Sequence, residues 1–384
     1  MNILNQEVYY IGFNANNAIC NDNFFAGSIT LYPTKERGNI FYSDKLVNDT
    51  TSNEFLEKYR AYIYQKAKQI QEKNPHATFI CFNQKIEKLC SNMTDINIIK
   101  NNDSQLVRFL NDKFLTRNYV KNSIPILDYY FLQPNELNYD LISQKLNTNR
   151  FVIQASTGSG GDTTYLITCQ EDLNSIPKIK YEYCVSEYVE NIPLNITLII
   201  GDDNIIYFPI SAQLILLTDN KFKYVGADFN VIHTFDKNVV DKIIYYSQII
   251  GNNVKEMGYR GILGIDYILD EYNNIFFMEM NPRFQSSSFL ISLNLIEKLN
   301  TSIAELHYLA ITKQILPSIN LFEISNSFVN CNTLQQFSSL NNYSIIDNGY
   351  FLPNQSSIYR KLFKDSIIDK ADFEKIRKYI KTTN

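Results

Sequence analysis

The sequence is poor in the residues that build metal clusters and disulfide frameworks. Its three histidines (His76, His233 and His307) are scattered, and no two of its six cysteines (Cys20, Cys81, Cys90, Cys169, Cys184 and Cys331) have C-x-x-C spacing. A zinc finger and a disulfide scaffold are thereby excluded, and the thiols read as isolated core residues. Excess positive charge is also missing. The 36 Lys and Arg stand against 40 Asp and Glu, a net charge of −4. No basic face follows, so nucleic acid is not an expected partner. No apolar run is long enough to span a bilayer. Met1 to Asn14 carry no basic segment ahead of a short apolar run, so a signal peptide is not expected either. Cytoplasmic residence is the default expectation.

What is present is a 384-residue chain, 45% hydrophobic and 20% charged, enough for two or three subdomains. The first hundred residues alternate strand and helix. Glu7–Phe13 reads as a strand, Asn53–Asn74 as a helix, and Ala77–Phe82 as a compact apolar strand. In the helix, Phe55, Tyr59, Tyr62, Ile63, Ala67 and Ile70 follow helical spacing. A second helix is expected from Ser104 to Lys121, ended by Ile124-Pro125-Ile126-Leu127, where a strand begins. Arg150–Ala155 and Tyr165–Thr168 read as strands on either side of a glycine-rich loop. Tyr181–Tyr188 and Asn195–Ile200 read as strands. Asp236 caps a helix that runs to Met257 and stops at Gly258. Helix returns over Leu293–Leu316, with a break near Asn300, and Asp372–Lys381 reads as a charged helix.

The strongest signal is the run Gly264-Ile-Asp266-Tyr-Ile-Leu-Asp-Glu-Tyr-Asn-Asn-Ile275-Phe-Phe-Met-Glu279-Met-Asn281-Pro-Arg283. A hairpin turn centred between Tyr272 and Asn273 sets Asp266 opposite Glu279, with Cα atoms roughly 4.5–5.5 Å apart. Alternation then brings Asn281 to the same face and turns Phe276, Met278 and Met280 to a core. Adjacent carboxylates repel unless a cation sits between them. Oxygen ligands with an amide suit Mg²⁺, which keeps positions for phosphate and water. Arg283, just beyond, suits charge developing on a transferred phosphoryl group. An ordinary polar hairpin face is the competing reading, and burial of Glu279 between methionines speaks against it.

The loop Ser156-Thr157-Gly158-Ser159-Gly160-Gly161-Asp162-Thr163-Thr164 offers free backbone N–H groups for phosphates. It lacks the Gly-Lys-Ser/Thr of a Walker A loop, and it leads into a strand, unlike a dinucleotide fingerprint. A flexible β-turn competes with the phosphate reading.

Together, in this order and about a hundred residues apart, the two features resemble the ATP-grasp superfamily over residues 104–315. Phe-Met-Glu-Met-Asn-Pro-Arg-Phe-Gln is similar to the metal motif of biotin carboxylases and carbamoyl-phosphate-synthetase-like ligases, and Gly258 to Asp266 match as well. The resemblance implies two α+β subdomains clasping ATP behind a Rossmann-like N-terminal domain. The chain then divides into residues 1–103, an ATP-grasp domain at 104–315 with a lid at about 122–190, and a mixed segment at 316–384. It implies Asp266, Glu279 and Asn281 as ligands of Mg²⁺ (or Mn²⁺) and Arg283 at the γ-phosphate. Lys113 becomes the first phosphate-binding lysine. Ser159, Gly160, Gly161 and Thr163 cover the β- and γ-phosphates. Glu187, Tyr188, Val189 and Glu190 form the adenine hinge, with Glu187 or Glu190 on the ribose, and Asn195 faces ribose or phosphate. One residue departs from the pattern. Gln154 stands where the family has a second lysine; it can donate to a phosphate but brings no charge.

The implied activity is an ATP-dependent ligase that activates a carboxylate as an acyl phosphate and joins it to the amine of an amino acid or peptide-like metabolite. A homodimer is an accompanying expectation. The alternatives are a non-catalytic ATP-binding module, a carboxylate–thiol ligase and a phosphotransferase. Gln213, the run Gly226-Ala227-Asp228 and His233 are weaker candidates for the acceptor side, each read more readily as surface loop. Gln285 and Ser286–Ser288 stand closer to the expected γ-phosphate, with a helix N-cap as the equal alternative.

Overall fold

A computed structural model describes residues 7–14, 24–32, 40–41, 53–156, 158, 161, 163–177, 182–218, 220–229, 235–319, 332–334, 343–346 and 350–353. Ser159, Gly160, His233 and the Asp372–Lys381 segment lie outside them.

The N-terminal part is a parallel sheet of β1 (Val8–Asn14), β2 (Gly27–Tyr32), β3 (Ile40–Phe41) and β4 (Thr78–Cys81), in the order β3-β2-β1-β4. Helix α1 (Asn53–Lys73) covers it with Phe55, Tyr59, Ile63, Ala67 and Ile70 of the expected stripe, while Tyr62 is only partly buried at its edge. Helix α2 is Gln84–Cys90.

The expected helix over 104–121 is two helices, α3 (Ser104–Asn111) and α4 (Lys113–Val120). Asp112 divides them. Its backbone is extended, and its Oδ1 accepts from the N–H groups of Phe114 and Leu115. This N-cap bond competes with a continuous helix and restarts the chain in a new direction.

Next come β5 (Tyr129–Leu132), α5 (Tyr139–Leu146), β6 (Phe151–Ala155), β7 (Thr164–Ile167), α6 (Gln170–Ser175) and β8 (Tyr183–Glu187). Strand β5 starts later than expected. The Pro125 carbonyl and Ile126 instead meet Phe277. These elements form the antiparallel order β7-β6-β8-β5 around their own core of Ile142, Phe151, Ile153, Ile167 and Val185.

A second antiparallel unit follows: β9 (Asn191–Ile200), β10 (Ile205–Tyr207), β11 (Ser211–Thr218), β12 (Lys221–Asp228), α7 (Lys237–Glu256), β13 (Gly261–Asp270) and β14 (Ile275–Asn281). Its order is β14-β13-β9-β11-β12, with β10 beside β9 and β15 (Asn332–Leu334) beside β12. Among the described residues it joins the first unit where β12 meets β7, through the pair Lys221↔Tyr165 and the bond from the Leu166 N–H to the Asn220 carbonyl. Strands β11 and β12 correct the expectation of surface loop around Gln213 and Gly226-Ala227-Asp228. They are inner strands, and Ala227 lies in the core. Thr218 pairs with Lys221, so Asp219-Asn220 between them is a two-residue hairpin signal of the kind that Asn and Asp carry.

The two faces of this unit do different work. Leu194, Ile196, Leu198, Leu263, Ile265 and Tyr267 pack toward α7, whose buried residues are Val239, Ile243, Ile250 and Val254 among others. Asn195, Thr197, Gly264 and Asp266 alternate onto the opposite face. Farther along that face Ile199 and Ile262 pack with Tyr10 and Phe82 of the N-terminal part and with Leu306 of α9. Helices α8 (Ser288–Leu299) and α9 (Ile303–Ile311) close the fold, broken at Asn300, where φ is 52°.

Candidate nucleotide and metal site

Register aligns a polar row across four strands. Glu279 on β14 pairs with Asp266 on β13, Asp266 with Asn195 on β9, and Asn195 with Ser211 on β11. The expected opposition of Asp266 and Glu279 is therefore present, but by another route. From the turn toward the ligands the register is not constant: Leu269 pairs with Ile275, Tyr267 with Phe277, and then Asp266 with Glu279, so Met278 is an extra residue. The bulge reverses alternation along β14. Ile275, Phe277 and Met280 enter the core in place of the expected Phe276, Met278 and Met280. Without the bulge, a hairpin closed at Asp270–Asn274 would set Glu279 one residue out of step.

Polar side chains converge on this row. Asp266 accepts from Asn195 Nδ2 at 2.6 Å and from Asn281 Nδ2 at 3.0 Å. Asn281 Nδ2 also donates to Glu279 at 3.2 Å, and Arg283 Nη2 donates to Asn281 Oδ1 at 3.1 Å. Lys113 stands at the first turn of α4, 6% exposed, with Nζ 2.9 Å from Glu279. The restart of the helix at Asp112 aims it there, and its own N–H donates to the Ser156 carbonyl at the base of the glycine loop. A solvated helix lysine is thus not what the structure contains.

The two carboxylates differ. Burial, then the charge of Glu279, pushes Asp266 up to about 7. Burial acts on Glu279 in the same sense, but the charge and hydrogen bond of Lys113 outweigh it and hold that carboxyl below its ordinary range. Gln213 adds a hydrogen bond that favours ionised Asp266. Gln285 Oε1 accepts from Asn195 at 3.3 Å and Thr197 at 3.4 Å. It lies over Gly264, where a Cβ would come within 2.1 Å of it. Ser287 and Ser288 are buried at the start of α8, and Ser288 Oγ accepts from the Gln285 N–H. Ser286 is exposed.

On the other side, Gln154 is 7% exposed on β6 and donates to Thr164 Oγ1 at 3.2 Å. The loop between β6 and β7 returns with Gly161 at φ +87°, and the Thr163 carbonyl accepts from the Ala155 N–H. Strand β8 ends at Glu187. Beyond it, Arg150 stacks 4.5 Å from the Tyr188 ring and pairs with Glu190 at 3.0 Å on the surface. Val189 accepts from Asn191 Nδ2. Sequence reading missed Arg117, which is 4% exposed between β6, β8 and β14. Its position four residues after Lys113 on one helix was the available signal. It also missed Ser211, whose buried Oγ has no hydrogen-bond partner among the described residues.

Residues 110–287 match the family model for the ATP-grasp domain. These residues are an ATP-grasp domain. N5-carboxyaminoimidazole ribonucleotide synthetase from Thermotoga maritima superposes with TM-score 0.52 at 19% identity, over 82% of this chain and 78% of that one. Biotin carboxylase from Campylobacter jejuni, solved with a β,γ-ATP ligand, gives 0.59 at 13%, over 81% and 72%. The biotin carboxylase domain of the Hydrogenobacter thermophilus 2-oxoglutarate carboxylase, solved with ADP, magnesium and bicarbonate, gives 0.58 at 14%, over 83% and 72%. At these identities the likeness is one of fold. No curated protein sequence matches the chain. Among the described residues, no helix is long and apolar enough to cross a membrane.

Proposed function

We propose that this chain is an ATP-dependent ligase that activates a small-molecule carboxylate and joins it to an amine. The observation that carries the reading is the in-register pair Asp266 and Glu279, with Asn281 between them and Lys113 and Arg283 at the edges. Two carboxylates framed by two cations suit a divalent cation bridged to a polyphosphate.

The donor set fits Mg²⁺, with Mn²⁺ as a substitute. It offers carboxylate and amide oxygens, and among the described residues no cluster of three His, Cys, Asp or Glu competes for a softer metal. The Asn281 amide nitrogen now donates to both carboxylates, filling the place where positive charge is needed. Asp266, Glu279 and Asn281 would hold the metal, which supplies charge neutralisation at phosphate oxygens.

ATP then lies between the two antiparallel units. Lys113 orients the phosphates and keeps Glu279 ionised. Ser159, Gly160, Gly161 and Thr163 close over the β- and γ-phosphates, Gln154 donates from below, and Asn195 lines the floor. Glu187, Tyr188, Val189 and Glu190 hold adenine and ribose; since Arg150 engages Glu190, Glu187 is the better ribose acid. Arg283 neutralises charge as the substrate carboxylate attacks the γ-phosphate. An amine then displaces phosphate from the acyl phosphate. The short junction between β12 and β7 among the described residues supports lid motion that excludes water from that step. The parallel order β3-β2-β1-β4 supports a Rossmann-like domain at 1–103. The separate core around Ile153 supports a lid at about 122–190 within an ATP-grasp domain of 104–315, followed by a segment at 316–384.

The test is release of ADP and phosphate over a panel of carboxylates and amines. Release that requires both partners is expected. ATP binding with no substrate pair raising turnover would overturn ligase activity in favour of a binding module.

A further inference from the structure

Lys113 and Arg117 lie four residues apart, so one face of α4 carries two cations inward. Their partners differ. Lys113 meets the Glu279 carboxylate. Arg117 meets neutral groups: the Met278 carbonyl at 3.0 Å, Cys184 Sγ at 3.2 Å and Gln154 Oε1 at 2.6 Å. Such acceptors solvate a guanidinium but, among the described residues, leave its charge without a counter-ion, which is costly for a buried group. An anion arriving in the cleft supplies one.

The rest of the chain of contacts points to where that anion lies. Arg117 holds the oxygen end of the Gln154 carboxamide, so the amide nitrogen turns the other way and donates to Thr164 at the end of the glycine loop. The start of the same loop is tied to Lys113 through the Ser156 carbonyl. Helix α4 is therefore tied to both ends of the loop, at its start by the Lys113 backbone N–H and at its end by Arg117 by way of Gln154, while the Lys113 ammonium reaches Glu279 beside it. The carbonyl that steadies Arg117 belongs to Met278, the bulge residue that also brings Glu279 opposite Asp266.

We propose that Arg117 is the second positive charge of the polyphosphate site, delivered through Gln154. The guanidinium orients and polarises the carboxamide, whose second N–H, beside the one that Thr164 accepts, donates to the nucleotide, so two side chains share the role of one lysine on β6. Arg117 is a positioning residue, and the proposal rests on the ATP reading above.

The test is titration of the full chain with ADP in the presence of Mg²⁺, alongside thermal melting. Arg117→Gln is expected to weaken ADP binding roughly ten- to hundredfold, the size of a lost charge-assisted hydrogen bond. Adding Gln154→Lys in that background is expected to restore affinity to within about threefold of the parent, because one lysine then provides charge and donor together. A mere strut between α4 and β14 predicts no such rescue. Unchanged ADP affinity in Arg117→Gln, or a double variant as weak as the single one, overturns the proposal. If Arg117→Gln does not fold, Gln154→Leu reads the same link with the other two bonds of Arg117 in place. A loss of roughly ten- to hundredfold supports the relay, and unchanged affinity overturns it. A parent protein that binds no ADP defeats the ATP reading itself, before any variant is compared.

Discussion

Replacing Asp266 with Asn should stabilise the metal-free protein while removing its function. Asp266 faces Glu279 in register, and burial with that neighbour raises its carboxyl to about 7. The unfolded chain holds an Asp near 3.9. The native site therefore penalises ionised Asp266 by about three pK units, or about 4 kcal/mol at most above pH 7, at 1.36 kcal/mol per unit. Partial exposure to the cleft reduces this, and about 2 kcal/mol is a fair expectation. The sign follows from the raised value. The penalty is absent below the unfolded pKa, grows as pH rises through it, and is complete above about 7. An Asn at 266 keeps an oxygen for Asn195 and offers an N–H to Glu279, so repulsion becomes attraction. The assay is thermal melting of both proteins in chelator, from pH 5 to pH 8.5. At roughly 2–4 °C per kcal/mol, the variant should melt about 4–8 °C higher at pH 8 and about a third of that higher at pH 5, which is still above the unfolded pKa. Mg²⁺ should raise the parent alone. Equal melting at pH 8, or a difference that shrinks as pH rises, would refute the account of the site as a pair of carboxylates awaiting a cation.

Three further outcomes follow from neighbouring contacts. Glu279→Gln should abolish ADP release yet lower thermal stability, the opposite sign to Asp266→Asn, because it removes the carboxylate that pairs with buried Lys113; turnover at the parent level would sink the metal assignment. Gly264→Ala sets a Cβ against the flexible end of Gln285, so the melting temperature should change little while KM for a substrate other than ATP rises several-fold, roughly 1 kcal/mol of lost contact. A rise in KM for ATP alone would instead put Gln285 on the nucleotide side. His307 accepts from the Ile262 N–H at 3.0 Å, and burial lowers it to about 3. Its neutral form contributes stability that is present above the unfolded pKa near 6.5 and is lost as pH falls from there toward 3. This opposes the Asp266 trend, so each must be read against its own variant; His307→Asn should flatten the acid limb of a melting curve, and an unchanged limb would count against neutral, buried His307.

The ATP-grasp assignment was legible because its two signals are local. Hydrophobic alternation and spacing marked the hairpin, and small residues between strands marked the loop. The β11–β12 hairpin was not recognised, although Asp219-Asn220 was a turn signal, because its pattern carries no chemical motif. Other features depend on competition between local and distant bonds. Asp112 divides a periodic helical run because its side chain caps the second half. One unpaired residue, Met278, decides which side chains of β14 face the core, and alternation alone could not place it.

The sequence by itself determined which groups are available: two carboxylates and an amide on one hairpin, a glycine loop upstream, and a glutamine on β6. Periodicity is enough for that, since residues close in sequence have few ways to be arranged. Only the tertiary structure decided what each group meets. It set Lys113 against Glu279 and brought Arg117, 37 positions before Gln154, to within 2.6 Å of its carboxamide. Contacts of that range arise from how helices and sheets pack, and no local pattern encodes them.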